Sequence, residues 1–415
     1  MKNIVAIVLA AGRGTRMKSE VPKVLHNILG IPMISYVTVS LKNAGVKDIM
    51  AVIGYGADAV KKVLPDVRFV IQRKLLGSGD AVLCAKKAFN KPSGDVLIIC
   101  GDTPLVKAKT IKKLIEKHKS SGASATLLSA KVKDPTGYGR IIRDDSNKVA
   151  KIVEDLEASL YEEIIEEINV GTYCFKAKDL FEALSSVKPD NVKKEVYLTD
   201  AIAILCSKGK IIESVSVEDA DEAIGINDRI GLAGVAHILK HRKLEELMAG
   251  GVTIEDPATT VIYPNVEIGR DSIIYPNTLI EQDVVVGRRC HIGPFARIRP
   301  DVKIDDEVEV GNFVELVRTR IGARSKVKHH TYLGDAVVGK YVNIGAGTIT
   351  ANYDGKHKNR TIIEDRAFIG VGSILIAPVK IGKRAVVGAG AVVPKNRNVP
   401  EGITVVGVPA RILKS

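Results

Sequence analysis

The C-terminal two fifths of the chain carry an aliphatic residue at nearly every sixth position, and this period restricts the fold more than any other feature. It runs unbroken through Ile262, Ile268, Ile274, Ile280, Val286, Ile292, Ile298, Ile304 and Val310. After one slipped step it resumes at Ile321 and continues to Val387, with a break after Ile344. Six-residue repeats are typical of a parallel β-helix, in which each short strand stacks its inward aliphatic side chain on the coil below. The sequence therefore predicts a β-helix over residues 252–415. Because such a solenoid has three faces and two open ends, we also expect a homotrimer packed through one face.

Residues 1–226 alternate between two other kinds of segment. Short apolar and β-branched runs predict strands that are covered on both faces: IVAIVLA, DIMAVIG, VRFVIQ, DVLIICGD and ATLLSAKV. Amphipathic stretches between them, such as 33–44 and 110–120, predict helices. This alternation is typical of a doubly wound α/β domain, which binds its ligands at the carboxyl ends of the strands.

Residues 227–248 predict one long linker helix, with Ile230, Val235, Ile238 and Leu247 on its apolar stripe. Gly250 and Gly251 would end the helix, so that the linker between the two domains spans residues 227–251.

Composition excludes several classes of protein. The net charge of +13 suggests anionic partners, but the chain has no Trp and only 4% aromatic residues to stack on bases. We therefore expect small anionic substrates rather than nucleic acid. The sequence contains no run of 18 or more apolar residues, so it predicts no membrane span. The five cysteines are scattered without metal spacing, as expected for reduced core residues of a cytoplasmic protein.

A glycine-containing loop, Leu9 to Met17, directly follows the first predicted strand, and Pro22-Lys23 comes shortly after it. Small residues let backbone N–H groups approach a phosphate chain, and Arg16 and Lys23 would neutralise its charge. The loop has neither the dinucleotide-binding G-x-G-x-x-G pattern nor the Lys-Ser/Thr pair of a P-loop.

The string LAAGRGTRM…PKVL resembles sugar-1-phosphate nucleotidyltransferases. The resemblance narrows with Gln72, LGSG (76–79), GDTPL (101–105), DPTGYGR (134–140), Glu154, Asn169, YLTD (197–200) and GIN (225–227). With the hexapeptide repeats, these motifs resemble the family of bifunctional N-acetylglucosamine-1-phosphate uridyltransferase/glucosamine-1-phosphate N-acetyltransferases. The resemblance covers almost the whole chain. It implies an α/β doubly wound nucleotidyltransferase domain followed by a left-handed parallel β-helix of hexapeptide repeats.

The resemblance also implies roles for residues of the first domain. The uridine and its phosphates would lie against Leu9, Ala10, Ala11, Gly12, Gln72, Gly77 and Ser78. The sugar would contact Gly139, Glu154 and Asn169, while Asp102 and Asn227 would bind Mg²⁺. Attack of a sugar-phosphate oxygen on the α-phosphorus of UTP needs positioning and charge neutralisation, which the metal, Arg16 and Lys23 would supply. The first domain departs from the family pattern at two positions. Ser78 stands where the family usually has Thr, and Cys100 stands where it often has an aromatic residue.

In the β-helix, His329 lies beside a break in the hexapeptide register. A neutral imidazole can take a proton from an amine that attacks a thioester, and His329 matches the general base of the family. His330 is expected to be a neighbour rather than a catalytic partner. The resemblance implies that Arg299, Tyr332, Asn343 and Asn352 hold the amino-sugar phosphate, and that Ala346, Asn352, Tyr353 and Ala389 lie near acetyl-CoA. Residues 348–360 interrupt the register, as a functional loop would.

Three departures from the family pattern weaken the prediction of acetyl transfer. Val317 replaces a substrate-binding Lys, Val371 replaces a Ser, and Gly407 replaces an Arg; Arg318 and Arg411 are possible substitutes. One alternative is therefore a nucleotidyltransferase only, with the β-helix as a trimerisation scaffold. Another is a non-catalytic subunit that binds a sugar nucleotide, against which the intact Arg16, Lys23, Asp102 and Asn227 argue.

Overall fold

The predicted apolar segments of the N-terminal half form a sheet that is covered on both faces. The computed structural model describes residues 4–89, 94–189, 191–192 and 194–413 and divides into two units, Met1–Val235 and Ala236–Ser415. The first unit contains, in chain order, strands β1 (Ile4–Ala10), β2 (Asn27–Ile28), β3 (Ile31–Pro32), β4 (Asp48–Ile53), β5 (Arg68–Ile71), β6 (Asp95–Cys100), β7 (Ala125–Lys131), β8 (Arg140–Arg143), β9 (Val149–Val153), β10 (Glu167–Lys176) and β11 (Ile212–Ser216).

Among the described residues, seven helices belong to the unit that contains this sheet. They are α1 (Met33–Asn43), α2 (Ala57–Val63), α3 (Ser78–Ala85), α4 (Ala108–Ser121), α5 (Leu160–Glu163), α6 (Ala177–Ser186) and α7 (Asp200–Ser207). Helix α8 (Arg229–Ala249) begins in the first unit and continues into the second, where Leu244 and Leu247 pack in the core of that unit. Short 3-10 helices cover Thr15–Met17, Lys23–Leu25, Lys86–Ala88, Asp155–Glu157 and Ala220–Ala223. Along β1, Ile4, Ala6 and Val8 face one core, and Val5 and Ile7 face the other. This alternation between two buried faces explains why the segment is continuously apolar.

The strand order is β11-β7-β10-β6-β1-β4-β5, with β8 paired to β10 and β9 paired to β8. Strand β1 runs parallel to both β4 and β6, whereas β10 runs antiparallel to its neighbours. The chain leaves β1 towards β4 on one side and returns to β6 on the other. The order therefore reverses at β1, and the loops after β1 and β6 border the crevice where such sheets bind ligands.

Helix α8 (Arg229–Ala249) covers almost the same residues as the predicted linker helix. The apolar stripe predicted for it, however, is only partly buried. Val235 and Leu247 are buried, while Ile230 is 85% exposed. Ile230 lies in the first turn of α8, where the periodic pattern overestimates burial. No helix among the described residues is long and apolar enough to cross a membrane.

The second unit is a parallel β-helix with three faces. Face 1 contains β12 (Thr253–Ile254), β15 (Ile273–Ile274), β18 (His291–Ile292), β21 (Glu309–Asn312), β24 (Lys326–His329), β27 (Asn343–Ile344), β30 (Phe368–Ile369), β33 (Val386–Val387), β35 (Thr404–Val406) and the antiparallel β36 (Arg411–Ile412). Face 2 contains β13 (Val261–Ile262), β16 (Leu279–Ile280), β19 (Arg297–Ile298), β22 (Glu315–Val317), β25 (Tyr332–Gly334), β28 (Ile349–Ala351), β31 (Ile374–Ile376) and β34 (Val392–Val393). Face 3 contains β14 (Glu267–Ile268), β17 (Val284–Val286), β20 (Val302–Ile304), β23 (Arg320–Ile321), β26 (Ala336–Val338), β29 (Thr361–Ile363) and β32 (Val379–Ile381).

The periodic aliphatic residues point into this prism, and all of those named from the sequence are buried except the partly buried Ile268. Leu316 fills the predicted gap after Val310, so the slip is a five-residue step from Leu316 to Ile321. Residues 348–360 were expected to interrupt the coil register, but in the structure the register continues beyond residue 348. Strand β28 continues the coil through residues 349–351, and buried Thr350 takes the inward position between Leu333 and Leu375. Its hydroxyl exchanges hydrogen bonds with the backbone of Gly334 at 2.8 and 3.1 Å, which satisfies a polar group that the aliphatic pattern could not anticipate.

Candidate active sites

A pocket opens at the switch point of the first unit. The ends of β1 and β6, the segment after β5 and the start of α3 form its wall. It is lined by Leu9, Ala10, Ala11, Gly12, Lys23, Val24, Gln72, Leu75, Gly77, Ser78, Ala81, Cys100, Asp102 and Glu195. The structure thus brings together all seven residues expected to contact the uridine and its phosphates. Leu75 and Glu195 also line this pocket, although no sequence signal had selected them.

Four polar residues from distant parts of the sequence meet in this first unit. The Lys23 ammonium contacts an Asp102 carboxylate oxygen, and it donates to Asn227 Oδ1 at 2.9 Å. Arg16 donates to the same Asn227 oxygen at 2.9 Å. A backbone hydrogen bond from Ile226 N–H to Asp102 O, at 3.0 Å, holds the two loops side by side. Carboxylate and amide oxygens that converge on one cationic nitrogen also suit a small hard cation, so the residues fit Mg²⁺.

Gln72 and Gly77 shape the nucleotide side of the pocket. The buried Gln72 amide donates to Gly77 O at 3.2 Å and to Asp80 Oδ2 at 2.7 Å. Gly77 has φ +108°, and a Cβ there would lie 2.5 Å from the carbonyl oxygen of Val196. Glycine is therefore required at this position. Ser78 begins α3, and its hydroxyl accepts from Leu198 N–H at 3.0 Å.

The residues expected to hold the sugar also lie close to one another. Asn169 N–H donates to Gly139 O at 2.8 Å, and the Asn169 side chain donates to Tyr173 Oη at 2.5 Å. Glu154 accepts a hydrogen bond from Thr199 at 2.8 Å. The contacts of Tyr173 and Thr199 with these residues are apparent only in the folded chain.

Cys100 lies between the nucleotide and sugar residues. Its thiol donates a weak hydrogen bond to Gly171 O at 3.8 Å. Burial raises the pKa of Cys100 to about 12, and the nearby Asp102 carboxylate acts in the same direction. The thiol therefore stays protonated at neutral pH, so Cys100 lines the pocket and does not act as a nucleophile.

On the β-helix, the predicted base is held by a neighbouring coil. His329 ends β24 directly above Asn312 of β21. Its Nδ1 lies 2.8 Å from Asn312 Oδ1. Because an amide oxygen can only accept, Nδ1 carries the proton and Nε2 keeps a free lone pair. This tautomer suits a group that must accept a proton.

A column of mostly small residues continues from His329 along the edge between faces 1 and 2. Gly347 N–H donates to His329 O at 3.3 Å, Gly372 N–H to Ala346 O at 2.7 Å, and Gly390 N–H to Val371 O at 2.7 Å. These bonds stack His329, Ala346, Val371 and Ala389 on successive coils. Val371 is 58% exposed and adds an apolar side chain where a hydroxyl was expected. Ala346 and Ala389, which were predicted to lie near acetyl-CoA, thus follow His329 along one edge of the β-helix.

The residues expected to hold the amino sugar are only partly brought together. Arg299 and Tyr332 lie on face 2, and Arg299 pairs with Glu315 at 2.9 Å. Asn352 follows β28 on that face, and its amide and the Tyr332 hydroxyl both approach Gly334. Asn343 instead pairs with Lys326 and Phe368 on face 1, away from the other three.

The remaining residues of this region have separate contacts. Tyr353 is 62% exposed in the loop after β28, and its hydroxyl donates to Gly355 O at 2.7 Å. His330 does not contact His329 through a side-chain hydrogen bond among those described. It stacks on Phe313 with ring centroids 5.0 Å apart, and Phe313 stacks on Phe295 at 5.2 Å. This exposed aromatic stack was not predicted.

Known proteins resemble the chain over both units. Residues 6–196 match the family model of the MobA-like NTP transferase domain. Residues 283–318 match the bacterial transferase hexapeptide (six repeats), and residues 360–395 match the hexapeptide repeat of succinyl-transferase.

Curated relatives match at greater length. The bifunctional protein GlmU of Shouchella clausii is 45% identical over 94% of this chain and 93% of its own length. That of Carboxydothermus hydrogenoformans is 45% identical over 95% of each chain. That of Geobacillus thermodenitrificans is 46% identical over 94% of this chain and 92% of its own. The chain belongs to the GlmU family.

Membership of the GlmU family confirms the resemblance and the predicted fold class, a doubly wound nucleotidyltransferase domain followed by a left-handed β-helix of hexapeptide repeats. Because the GlmU matches cover more than nine tenths of the chain, they include both candidate sites rather than one domain alone.

Proposed function

We infer that the protein is a bifunctional enzyme that makes UDP-N-acetylglucosamine. It transfers an acetyl group from acetyl-CoA to glucosamine 1-phosphate, and a uridyl group from UTP to N-acetylglucosamine 1-phosphate. GlmU membership across both units carries this inference. The Lys23–Asp102–Asn227 cluster and the oriented His329 imidazole support it with suitable chemistry at each site.

In the uridyl transfer site, a phosphate oxygen of the sugar forms a bond to the α-phosphorus of UTP, while the bond to the pyrophosphate leaving group breaks. Negative charge develops on the transferred group and on pyrophosphate. Arg16 and Lys23 supply the neutralising charge, and the small residues 9–12 allow the backbone to approach the phosphates. Gln72, Gly77 and Ser78 hold the nucleotide, while Gly139, Glu154 and Asn169 hold the sugar.

Asp102 and Asn227 are the proposed ligands of Mg²⁺, which neutralises phosphate charge and orients the phosphates when it is bound. Among the described residues there is no group of three or more His, Cys, Asp or Glu that could hold a metal. Two protein oxygens are nevertheless enough for Mg²⁺, which usually keeps several waters and takes further oxygens from substrate phosphates.

In the acetyl transfer site, the amine of glucosamine 1-phosphate attacks the thioester carbon of acetyl-CoA. Nε2 of His329 takes the amine proton, and the CoA thiolate leaves and is then protonated. We place the cofactor along Ala346 and Ala389, with Asn352 and Tyr353 nearby, and the amino sugar against Arg299, Tyr332 and Asn352. Asn343 lies on another face, and we propose that it contributes to a site completed by a second copy of the chain.

This proposal includes a homotrimer, because the exposed stack of Phe295, Phe313 and His330 lies along one edge of the β-helix and is suited to burial against another copy. We further propose a cytoplasmic location, where UTP and acetyl-CoA are available. The five free cysteines agree with reducing conditions.

Two substitutions test the proposal. His329→Ala should remove acetyl transfer and leave uridyl transfer near the wild-type rate, whereas Asp102→Ala should remove Mg²⁺-dependent formation of UDP-N-acetylglucosamine. Release of CoA thiol with glucosamine 1-phosphate, with glucosamine 6-phosphate as control, measures the first activity. Wild-type protein that performs uridyl transfer only would leave the β-helix as a trimerisation scaffold.

A further inference from the structure

A cavity lined by arginines opens at the edge between faces 2 and 3 of the β-helix. It is lined by Asp301, Arg318, Arg320, Asp335, Ala336, Val337 and Arg360, and we call it the arginine cavity. Its volume of about 620 Å³ lies in the range of roughly 300–1,000 Å³ that is usual for small-ligand sites. Three guanidinium groups face two carboxylates, which leaves an excess of positive charge.

Arg318 lines this cavity and is held in a fixed orientation by a carboxylate. It adopts a left-handed backbone conformation, with φ +48°, at the turn between β22 and β23. Its Nε donates to Asp335 Oδ1 at 2.6 Å, and NH2 donates to Asp335 Oδ2 at 2.8 Å. This bidentate pair occupies one edge of the guanidinium, so the NH1 donors remain for a ligand.

Arg320 and Arg360 provide the remaining positive charge. Both side chains are exposed, and neither has an ion pair within the part of the chain that the structure describes. Other exposed arginines of the β-helix, such as Arg324 and Arg289, instead pair with Glu307. Unpaired guanidinium groups that line a cavity favour an anion that can accept several hydrogen bonds, and a phosphate group has this property.

The arginine cavity is directly connected to residues proposed for acetyl transfer. Asp335 accepts a hydrogen bond from the Asn352 amide, which lies beside the Tyr332 hydroxyl over Gly334. Val317, where a lysine had been expected from the resemblance, is buried and carries no charge. The guanidinium group of Arg318 is instead joined to Asn352 through their shared hydrogen-bond partner, Asp335.

We propose that the arginine cavity binds a phosphate group of a substrate of acetyl transfer. Arg318, which Asp335 holds in place, donates hydrogen bonds to the phosphate, and Arg320 and Arg360 supply two further guanidinium groups. The phosphate belongs either to glucosamine 1-phosphate or to the nucleotide part of acetyl-CoA. This assignment rests on the proposed acetyl transfer.

The test uses Arg320→Gln/Arg360→Gln in the full-length protein, because removal of these exposed, unpaired side chains leaves the Arg318–Asp335 pair intact. The matched control is Arg270→Gln/Arg288→Gln, which removes the same charge from two other exposed arginines of the β-helix. Calorimetric titrations with glucosamine 1-phosphate, acetyl-CoA, S-acetylpantetheine and inorganic phosphate report binding to each variant. The N-terminal site is the same in all of them.

We expect the dissociation constant of one phosphorylated substrate to rise at least tenfold in the cavity variant and less than twofold in the control. Weaker binding of glucosamine 1-phosphate assigns the cavity to the sugar. Weaker binding of acetyl-CoA, with that of S-acetylpantetheine unchanged, assigns it to the cofactor phosphates. Equal affinities in the wild type and the cavity variant, or an equal loss in the control, would overturn the proposal. If the wild type shows no CoA release but its phosphate binding still depends on Arg320 and Arg360, the proposed acetyl transfer fails and the phosphate site stands.

Discussion

Asn312 is expected to orient His329 without taking part in the chemistry itself. The 2.8 Å contact between His329 Nδ1 and Asn312 Oδ1 is the only side-chain hydrogen bond of that imidazole among the described residues. Asn312→Ala removes it and lets the ring rotate and exchange its tautomers. The bond lies at the surface of the β-helix and joins neutral groups, so its loss should cost about 0.5–1.5 kcal/mol. Since about 1.4 kcal/mol corresponds to a tenfold change in rate, kcat for acetyl transfer should fall by roughly two- to thirteenfold.

The assay is the release of CoA thiol at saturating glucosamine 1-phosphate, with uridyl transfer measured on the same preparation. Asn265→Ala is a suitable control, because it removes another exposed asparagine hydrogen bond of the β-helix, the 2.7 Å contact with Asp283. We expect this control to keep full acetyl transfer, and Asn312→Ala to keep its uridyl transfer. His329→Ala should lose far more, on the order of 10²–10⁴-fold. An Asn312→Ala enzyme as inactive as His329→Ala, or as active as the wild type, would refute the orienting role.

Three further predictions follow from the geometry. Gly311→Ala would place a Cβ 1.8 Å from the Lys328 carbonyl oxygen, so β24 must shift; acetyl transfer should fall at least tenfold while uridyl transfer persists. Arg318 lowers the pKa of Asp335, so their pair stabilises the fold above the ordinary carboxyl pKa and loses this effect as the pH falls towards the lowered value. Denaturant titrations should therefore show a larger loss of stability for Asp335→Asn at pH 7 than at pH 3. The raised pKa of Cys100 predicts that uridyl transfer survives N-ethylmaleimide at pH 7; rapid inactivation that Cys100→Ser prevents would contradict this.

The β-helix could be predicted from the sequence because each coil repeats the same local requirement. An aliphatic side chain must point inward once per short strand, and Ile298 and Ile304, which are almost fully buried, follow this rule directly. The rule failed at Thr350, where a hydroxyl satisfied by the backbone of the adjacent coil replaces the aliphatic group. The buried Thr350 hydroxyl depends on the backbone of Gly334, which lies 16 residues away in the sequence. A pattern of neighbouring residues therefore could not predict this contact.

The candidate sites were predicted to different extents for a similar reason. The motifs that resemble the family located Lys23, Asp102 and Asn227, which the reversal of strand order at β1 then brings together across more than 200 residues of sequence. On the β-helix, by contrast, the separation of Asn343 from Tyr332 follows from the face to which each strand belongs.

The sequence by itself determined the two fold classes, the residue types of both sites and the family, since these depend on local periodicity and short motifs. Only the tertiary structure decided which of the candidate side chains meet. Stacking of coils aligned His329 with Asn312 and brought Arg318 to Asp335, because parallel pairing places residues 17 positions apart side by side. The tautomer of the base and the charge of the arginine cavity both arise from these contacts between coils.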